Sequence, residues 1–120
     1  MEPKRSGYPR RKRITTGAEL QRVRQTGRRW RTEHLDVRAT ASPLSFARSG
    51  LVVPKHGKTS AERNKLKRRL RELVRTRILA PSGIRGVDLV IRALPSAYAA
   101  SFAELEQQVA GIARRLSASE

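Results

Sequence analysis

The sequence predicts an α+β fold, a single two-layer domain in which helices cover a small sheet. Three observations support this fold class. At three points Ser or Thr is followed three residues later by Glu, which is the pattern of a capped helix start. Between these points lie short apolar stretches that end at Pro or at turn residues, as strands do. The 120 residues allow one domain with one modest core.

The first helix is predicted to begin after Thr16 and to stop at Gly27. Residues 28–31 lead into a strand in which polar and apolar residues alternate. The apolar face of this strand is formed by Leu35, Val37 and Ala39. A turn at 41–45 separates it from a second predicted strand at 46–54.

The longest predicted helix spans 58–79 and has two different faces. Thr59 and Glu62 form its capping pattern. Apolar residues recur at helical spacing and form one stripe: Leu66, Leu70, Leu73, Val74 and Ile78. The rest of the surface is basic: Arg63, Lys65, Lys67, Arg68, Arg69, Arg71, Arg75 and Arg77. Because like charges four residues apart weaken a helix, this surface predicts binding to a polyanion.

A strand at 87–94 and a final helix complete the predicted fold. The strand reads VDLVIRAL, which is typical of a buried strand, and Pro95 stops it. Ser101 and Glu104 form the third capping pattern. The helix that they open carries its apolar residues on one face: Phe102, Leu105, Val109, Ile112 and Leu116.

The charge of the chain is strongly positive and unevenly spread. There are 27 Lys and Arg against 10 Asp and Glu, a formal net charge of +17. Of the 27 basic residues, 23 lie within residues 1–79. We interpret 1–13 as a flexible basic tail, 14–117 as one RNA-binding α/β sandwich domain, and 118–120 as a short tail. Such a surplus of charge favours a large anionic partner.

Several function classes are disfavoured by composition. The chain has no Cys, and its two His residues do not make a zinc site, so no metal ligand is assigned. No nucleophile-and-base motif or Walker loop occurs, so no catalytic residue is assigned either. No apolar run reaches the roughly 20 residues that a membrane span needs. We therefore expect a cytoplasmic protein with no membrane partner.

The residues alone leave the polyanion partly open. Basic residues all around the long helix suit the several phosphate directions of a folded RNA better than one DNA groove. Trp30, between Arg29 and Arg31, is interpreted in two ways: it stacks on bases or it plugs the core. A small ribosomal or RNA-assembly protein, and a protein that coats DNA or a membrane surface, remain alternatives.

Residues 50–73 resemble the bacterial ribonuclease P protein component. The stretch reads GLVVPKHGKTSAERNKLKRRLREL, and the family signature is a strand, a Lys-containing loop, and a helix with Arg-Asn-x-x-Lys-Arg-x-x-Arg. RITTGAELQRVRQTGRRW resembles the first helix of the family, and VDLVIRALP resembles its late strand. The resemblance covers roughly residues 13–117. It implies the order α-β-β-β-α-β-α, a mostly antiparallel sheet and a left-handed βαβ crossover.

The resemblance also implies site residues. The contacts with the catalytic RNA are expected at Lys55, Arg63, Asn64, Lys65, Lys67, Arg68, Arg71 and Arg75. The cleft that holds the 5′ leader of precursor tRNA is expected at Leu20, Arg24, Trp30, Leu35, Val37 and Arg38. Family aromatic positions are occupied here by Leu20, Arg24, Leu35 and Arg38, so the arginines are candidates to hold phosphates where the family stacks bases.

The function implied by the resemblance is that of an accessory subunit. The ribonuclease P RNA would perform the endonucleolytic cleavage that matures tRNA 5′ ends, with Mg²⁺ held mainly by that RNA. The expected partners are this RNA and precursor tRNA, with no obligate protein partner.

Overall fold

The computed structural model of the chain describes residues 13–14, 16–42, 44, 46–79 and 86–118. Within these ranges three α-helices and four strands follow in the order α-β-β-β-α-β-α. They are α1 Gly17–Thr26, β1 Arg28–Arg31, β2 Leu35–Ala41, β3 Arg48–Val52, α2 Ser60–Val74, β4 Val87–Ala93 and α3 Phe102–Ala118. A π-helical turn, Arg75–Leu79, continues α2, and a 3₁₀ turn, Pro95–Ala99, precedes α3. The predicted α+β fold is confirmed.

The four strands form one mixed sheet in the order β1-β2-β4-β3. The pairs β1–β2 and β2–β4 are antiparallel, and β3–β4 is parallel. A parallel pair needs a crossover connection, and α2 lies on the connection between β3 and β4. β1 is a strand in its own right, which the residues alone did not show. Thr32 donates its N–H to Leu35 O (2.8 Å) and closes the hairpin between β1 and β2.

The main core lies between the sheet and the helices α2 and α3. The apolar stripe of α2 is buried there as predicted, with Leu70 and Ile78 fully inaccessible to solvent. The predicted cap of α2 is also confirmed, because Thr59 and Glu62 exchange backbone and side-chain hydrogen bonds. In α3 the prediction for Phe102 is wrong. It is 42% exposed, since it precedes the first buried residue of that helix, Leu105.

α1 packs on the opposite face of the sheet. A second, small apolar cluster holds it there: Ile14, Val23 and Val90, with Leu20 and Val52. Gly27 ends α1 as predicted, but its backbone is extended (φ −84°) rather than left-handed. Its role is close approach. A Cβ at this position would lie 2.6 Å from Val23 O and 2.8 Å from Ala39 O.

The predicted boundaries of the domain need small corrections. Residues 1–12 of the predicted tail lie outside the described residues. Arg13, also assigned to the tail, forms a β-bridge with Ser49. Ala118 ends α3 rather than opening a C-terminal tail, and 119–120 lie outside the described residues. None of the described helices has the length and apolar character needed to cross a bilayer.

Candidate nucleic-acid interface

The basic surface of α2 carries most of the predicted RNA contacts. Arg63, Asn64, Lys65, Lys67, Arg68 and Arg71 lie on α2, and Arg75 opens the π-helical turn. The structure brings them together along one element. Asn64, Lys65 and Arg68 are exposed. Arg63 is tied to the sheet, because its Nε donates to Val53 O (2.6 Å), and Arg75 pairs with Glu72 (2.6 Å).

The loop before α2 positions the eighth predicted contact, Lys55. Lys58 donates its N–H to Lys55 O (2.8 Å), which closes a tight turn. His56 and Gly57 both have positive φ, 50° and 80°. Glycine adopts this left-handed region freely, whereas histidine adopts it at a cost. The turn keeps Lys55 exposed beside the basic helix.

A cleft of about 440 Å³ lies on the sheet face that α1 partly covers. Strand residues alternate between the two faces of a sheet, and the residues of β1, β2 and β4 that line this cleft all share one face. Five arginines line it: Arg24, Arg29, Arg31, Arg38 and Arg92. Asp36 is the one acid among its described lining residues, and none of them is Phe, Tyr or Trp. The cleft is therefore suited to an anion.

Hydrogen bonds fix two of these arginines. Asp36 accepts two bonds from Arg29, both 3.1 Å long, and Arg38 donates to Arg24 O (3.1 Å). Burial alone would raise the pKa of Asp36, but the hydrogen bond from Arg29 and the charges of Arg29, Arg38 and Arg31 lower it below its usual value. The carboxyl group therefore stays ionised at neutral pH.

Three further arginines of the cleft keep their guanidinium groups available. In the described part of the chain, the side chains of Arg24, Arg31 and Arg92 have no hydrogen bond or ion pair. Each carries several N–H donors that suit phosphate oxygens. An anion entering the cleft therefore meets guanidinium groups that form no ion pair with an acid of the described residues, although Arg31 lies near enough to Asp36 to lower its pKa.

Buried ion pairs hold α1 as one wall of the cleft. Asp88 on β4 is inaccessible to solvent and accepts bonds from Arg48 (3.0 and 2.8 Å) and from Arg22 of α1. Arg48 also donates to Glu19 of α1 (2.9 Å). These contacts join α1 to β3 and β4 and so set the position of Arg24.

The structure separates the predicted leader-binding residues. Arg24 and Arg38 line the cleft, whereas Leu20 packs into the small cluster beneath α1. The prediction that Leu35 and Val37 contact the leader is wrong, because both have no exposed surface and point into the main core. They share the apolar phase of β2, which is the face opposite Arg38.

Trp30 lies on the core side of the sheet as well. It is half-buried, packs against the main core, and has the guanidinium of Arg115 4.5 Å from its ring centroid. Its register partner is Val37, so it cannot line the cleft. Of the two interpretations, the structure supports packing against the core.

Four charged residues that line the cleft were not among the predicted site residues of the leader cleft: Arg29, Arg31, Asp36 and Arg92. The signal was present in the alternation of the strands. On β2 the apolar phase marks the core, so the opposite phase, with Asp36 and Arg38, marks the cleft. Only the strand pairing shows that Arg31 and Arg92 flank Asp36.

This geometry defines a class of protein, a small basic nucleic-acid-binding domain with an arginine-lined cleft beside a basic helix. A family model described as Ribonuclease P matches residues 8–117. The protein component of ribonuclease P from Syntrophobacter fumaroxidans is 39% identical over 97 residues, which cover 78% of each chain. That from Rhodococcus opacus is 41% identical over 99 residues, covering 79% of this chain and 78% of the relative.

Two solved structures share the fold. The RNase P protein of Staphylococcus aureus has a TM-score of 0.71 at 24% identity and covers 88% of this chain and 97% of that one. The RNase P protein of Thermotoga maritima has a TM-score of 0.72 at 24% identity, with coverage of 86% and 96%. The chain belongs to the ribonuclease P protein family. It is thus a protein component of a tRNA-processing endoribonuclease and works with ribonuclease P RNA.

Proposed function

We propose that this chain binds ribonuclease P RNA through α2 and holds the 5′ leader of precursor tRNA in the arginine-lined cleft. The observation that carries the proposal is the set of five arginines gathered on one sheet face beside a basic helix. Two separate cationic surfaces suit a protein that contacts two RNAs at once. Their charge offsets the repulsion between the two RNAs as they dock.

The contact with the RNA subunit is assigned to α2. Arg68 and Lys65 are exposed and have no hydrogen bond or ion pair among the described residues. Arg63 is anchored through its Nε to the end of β3, which leaves its two terminal nitrogens for phosphate. A helix whose apolar stripe is fully docked presents these cations on a rigid support.

The leader is held through its phosphates rather than by stacking of its bases. The described lining of the cleft offers guanidinium groups and no Phe, Tyr or Trp. Single strands bind such grooves with little sequence preference and with strong salt dependence. Asp36 orients Arg29 and reduces the net positive charge of the cleft.

Cleavage and its Mg²⁺ are assigned to the RNA subunit. Mg²⁺ binds carboxylate and phosphate oxygens in octahedral geometry and keeps several of its waters. No group of three or more His, Cys, Asp or Glu side chains in the described ranges is arranged to hold a metal ion. The two acids of the cleft side, Asp36 and Asp88, both bind arginines. A cytoplasmic location follows from the proposal, because precursor tRNA is processed there.

Reconstitution with a bacterial ribonuclease P RNA tests the proposal. At low Mg²⁺ the purified chain is expected to restore cleavage of precursor tRNA, and the chain alone is expected to cleave nothing. A chain that does not restore cleavage refutes the proposal. Activity of the isolated chain refutes the assignment of chemistry to RNA.

Variants separate the two surfaces. Arg92→Ala is expected to weaken binding of precursor tRNA to the holoenzyme and to leave binding of leaderless tRNA unchanged. Arg68→Ala is expected to weaken binding of the RNA subunit and to reduce the slope of log affinity against log salt by about one. Arg114→Ala on α3 is the matched control. If Arg92→Ala weakens binding of precursor tRNA and leaderless tRNA equally, the assignment of the leader to the cleft is refuted.

A further inference from the structure

A second surface of α2 faces the 3₁₀ turn, and an aromatic ring of that turn lies beside it. Tyr98 in that turn is half-buried, and its hydroxyl donates to Pro54 O (2.6 Å). The His56 ring packs against it in a T-shaped arrangement, with centroids 6.2 Å apart and planes at 87°. The ring is therefore held in one orientation from two sides.

Basic side chains surround this ring. A shallow groove between α2 and the 3₁₀ turn is lined by Lys58, Glu62, Lys65, Leu66, Arg69, Ala97 and Tyr98. Lys58 Nζ lies 6.0 Å from the Tyr98 ring centroid, within the range of a cation–π contact. Glu62 is occupied by the cap of α2. Lys65 and Arg69 have no hydrogen bond or ion pair with any described residue.

The groove lies on a different flank of α2 from Arg63. Lys65 and Arg69 are four residues apart and form one row. Arg63 and Lys67 form another row, and two residues along an α-helix turn the direction by about 200°. The groove is also distinct from the arginine-lined cleft, with which it shares no lining residue. Neither of the two proposed contacts explains its aromatic ring.

We propose that Tyr98 is a stacking platform for one unpaired nucleotide of the RNA subunit. The base packs on the ring face that Lys58 now covers. Lys58, Lys65 and Arg69 hold the phosphates on either side of that nucleotide. An aromatic ring flanked by cations is the general arrangement with which proteins bind unpaired nucleotides. The proposal rests on the assignment of α2 to the RNA subunit and adds a second flank to that contact.

Two substitutions of Tyr98 distinguish stacking from a purely structural role. Tyr98→Phe keeps the ring and removes the hydrogen bond to Pro54, so affinity for ribonuclease P RNA is expected to stay within about twofold. Tyr98→Leu removes the ring, and affinity is expected to fall about 5- to 150-fold, which corresponds to about 1–3 kcal/mol for one stacked base. The salt slope is expected to be unchanged in Tyr98→Leu and lower by roughly 0.7–0.9 in Lys65→Ala.

Each outcome decides. Equal losses in Tyr98→Phe and Tyr98→Leu, or full affinity in a folded Tyr98→Leu, overturn the proposal. If Arg68→Ala binds the RNA as tightly as the wild type does, the assignment of α2 fails; if only Tyr98→Leu is silent, the stacking platform alone fails. Should Tyr98→Leu not fold, the wild-type complex is crosslinked with 4-thiouridine RNA. An adduct on the Tyr98 peptide supports the platform, and its absence from crosslinked complexes refutes it.

Discussion

Replacement of Asp88 by alanine is expected to lower the free energy of unfolding by about 3–5 kcal/mol. Asp88 has no exposed surface and accepts bonds from two arginines. The Arg48 side chain is only 16% exposed, so alanine at 88 leaves it with Glu19 alone. Asp88 is the largest factor that raises the pKa of Arg48, and the substitution removes it. The guanidinium group nevertheless keeps its charge, because arginine is not deprotonated in proteins even without an acidic partner.

The two arginines are expected to contribute unequally. Arg22 is 43% exposed, and an ion pair open to solvent contributes about 0–1 kcal/mol. Arg48 makes two bonds to Asp88, at 3.0 and 2.8 Å, in a nearly closed environment. Most of the loss in Asp88→Ala therefore comes from the buried, uncompensated Arg48. Arg22→Ala is expected to cost less than about 1 kcal/mol.

Urea unfolding measures this loss. The midpoint shifts at constant m if the native and unfolded states keep their compactness. The double variant Asp88→Leu/Arg48→Met removes both charges and is expected to be more stable than Asp88→Ala. A loss below about 1 kcal/mol in Asp88→Ala, or a double variant less stable than the single one, would refute the reasoning.

Three further predictions concern the packing of the core, the backbone contact at Gly27 and the pH dependence of stability. Leu70→Ala is expected to cost about 2–5 kcal/mol in urea unfolding, because Leu70 is fully buried; a loss well under 1 kcal/mol would contradict this. Gly27→Ala is expected to cost about 1–3 kcal/mol, since its Cβ would lie 2.6 and 2.8 Å from two backbone oxygens. Gly17→Ala, with nothing within 4 Å, is the matched control and should not destabilise. The pKa of Asp36 in the folded protein is lower than its ordinary value of 3.8. The ionised carboxylate therefore stabilises the fold at pH values above 3.8, and this stability is lost as the pH falls through the folded-state pKa. The difference in free energy of unfolding between the wild type and Asp36→Asn should therefore decrease as the pH is lowered below about 4. A difference that stays constant with pH would contradict this prediction.

Local signals were sufficient to predict the helices. The capping pair Thr59 and Glu62 is three residues apart, and the hydrogen bonds form as the pattern indicates. The apolar stripe of α2 follows helical spacing and is buried throughout. Both features are decided within a few turns of chain, so one sequence contains all that determines them.

The face of the sheet that carries the cleft was harder to predict. Leu35 and Val37 were assigned to the cleft from their positions in the family, yet their apolar phase puts them in the core. A shift of one residue along β2 moves a side chain to the other face. Arg38 has the cleft phase, and so does Arg29, which pairs with it on β1. The alternation of apolar and polar residues in β2 indicates which side chains face the core, but the prediction followed the family positions instead.

Contacts between distant residues were beyond sequence reasoning. Asp88 binds Arg48 and Arg22, which are 40 and 66 residues away along the chain. Tyr98 meets Pro54 across 44 residues. No local spacing relates these residues: the pairing of β4 with β3 places Arg48 beside Asp88, and the packing of α1 on the sheet adds Arg22. The burial of Asp88 and the position of Tyr98 beside α2 could not be predicted without the strand order.

The cations of the described residues fall into two groups, those that pair with an acid and those that do not. Every Asp and Glu of the described ranges has a contact within the protein: Glu19, Asp36, Glu72, Asp88 and Glu106 pair with arginines, Glu33 lies near His34, and Glu62 and Glu104 bind at helix starts. Four of the five arginine-binding acids join different elements; only Glu72, which pairs with Arg75 three residues later, does not.

Several cations without an ion pair lie on the proposed binding surfaces. In the cleft, Arg24, Arg31 and Arg92 form no ion pair with an acid of the described residues, and neither do Lys65 and Arg68 on α2. Unpaired like charges repel each other in the free protein, and that repulsion is relieved when phosphates supply the counter-charge. The absence of ion pairs at these five residues therefore supports the proposed RNA contacts without reference to a family signature.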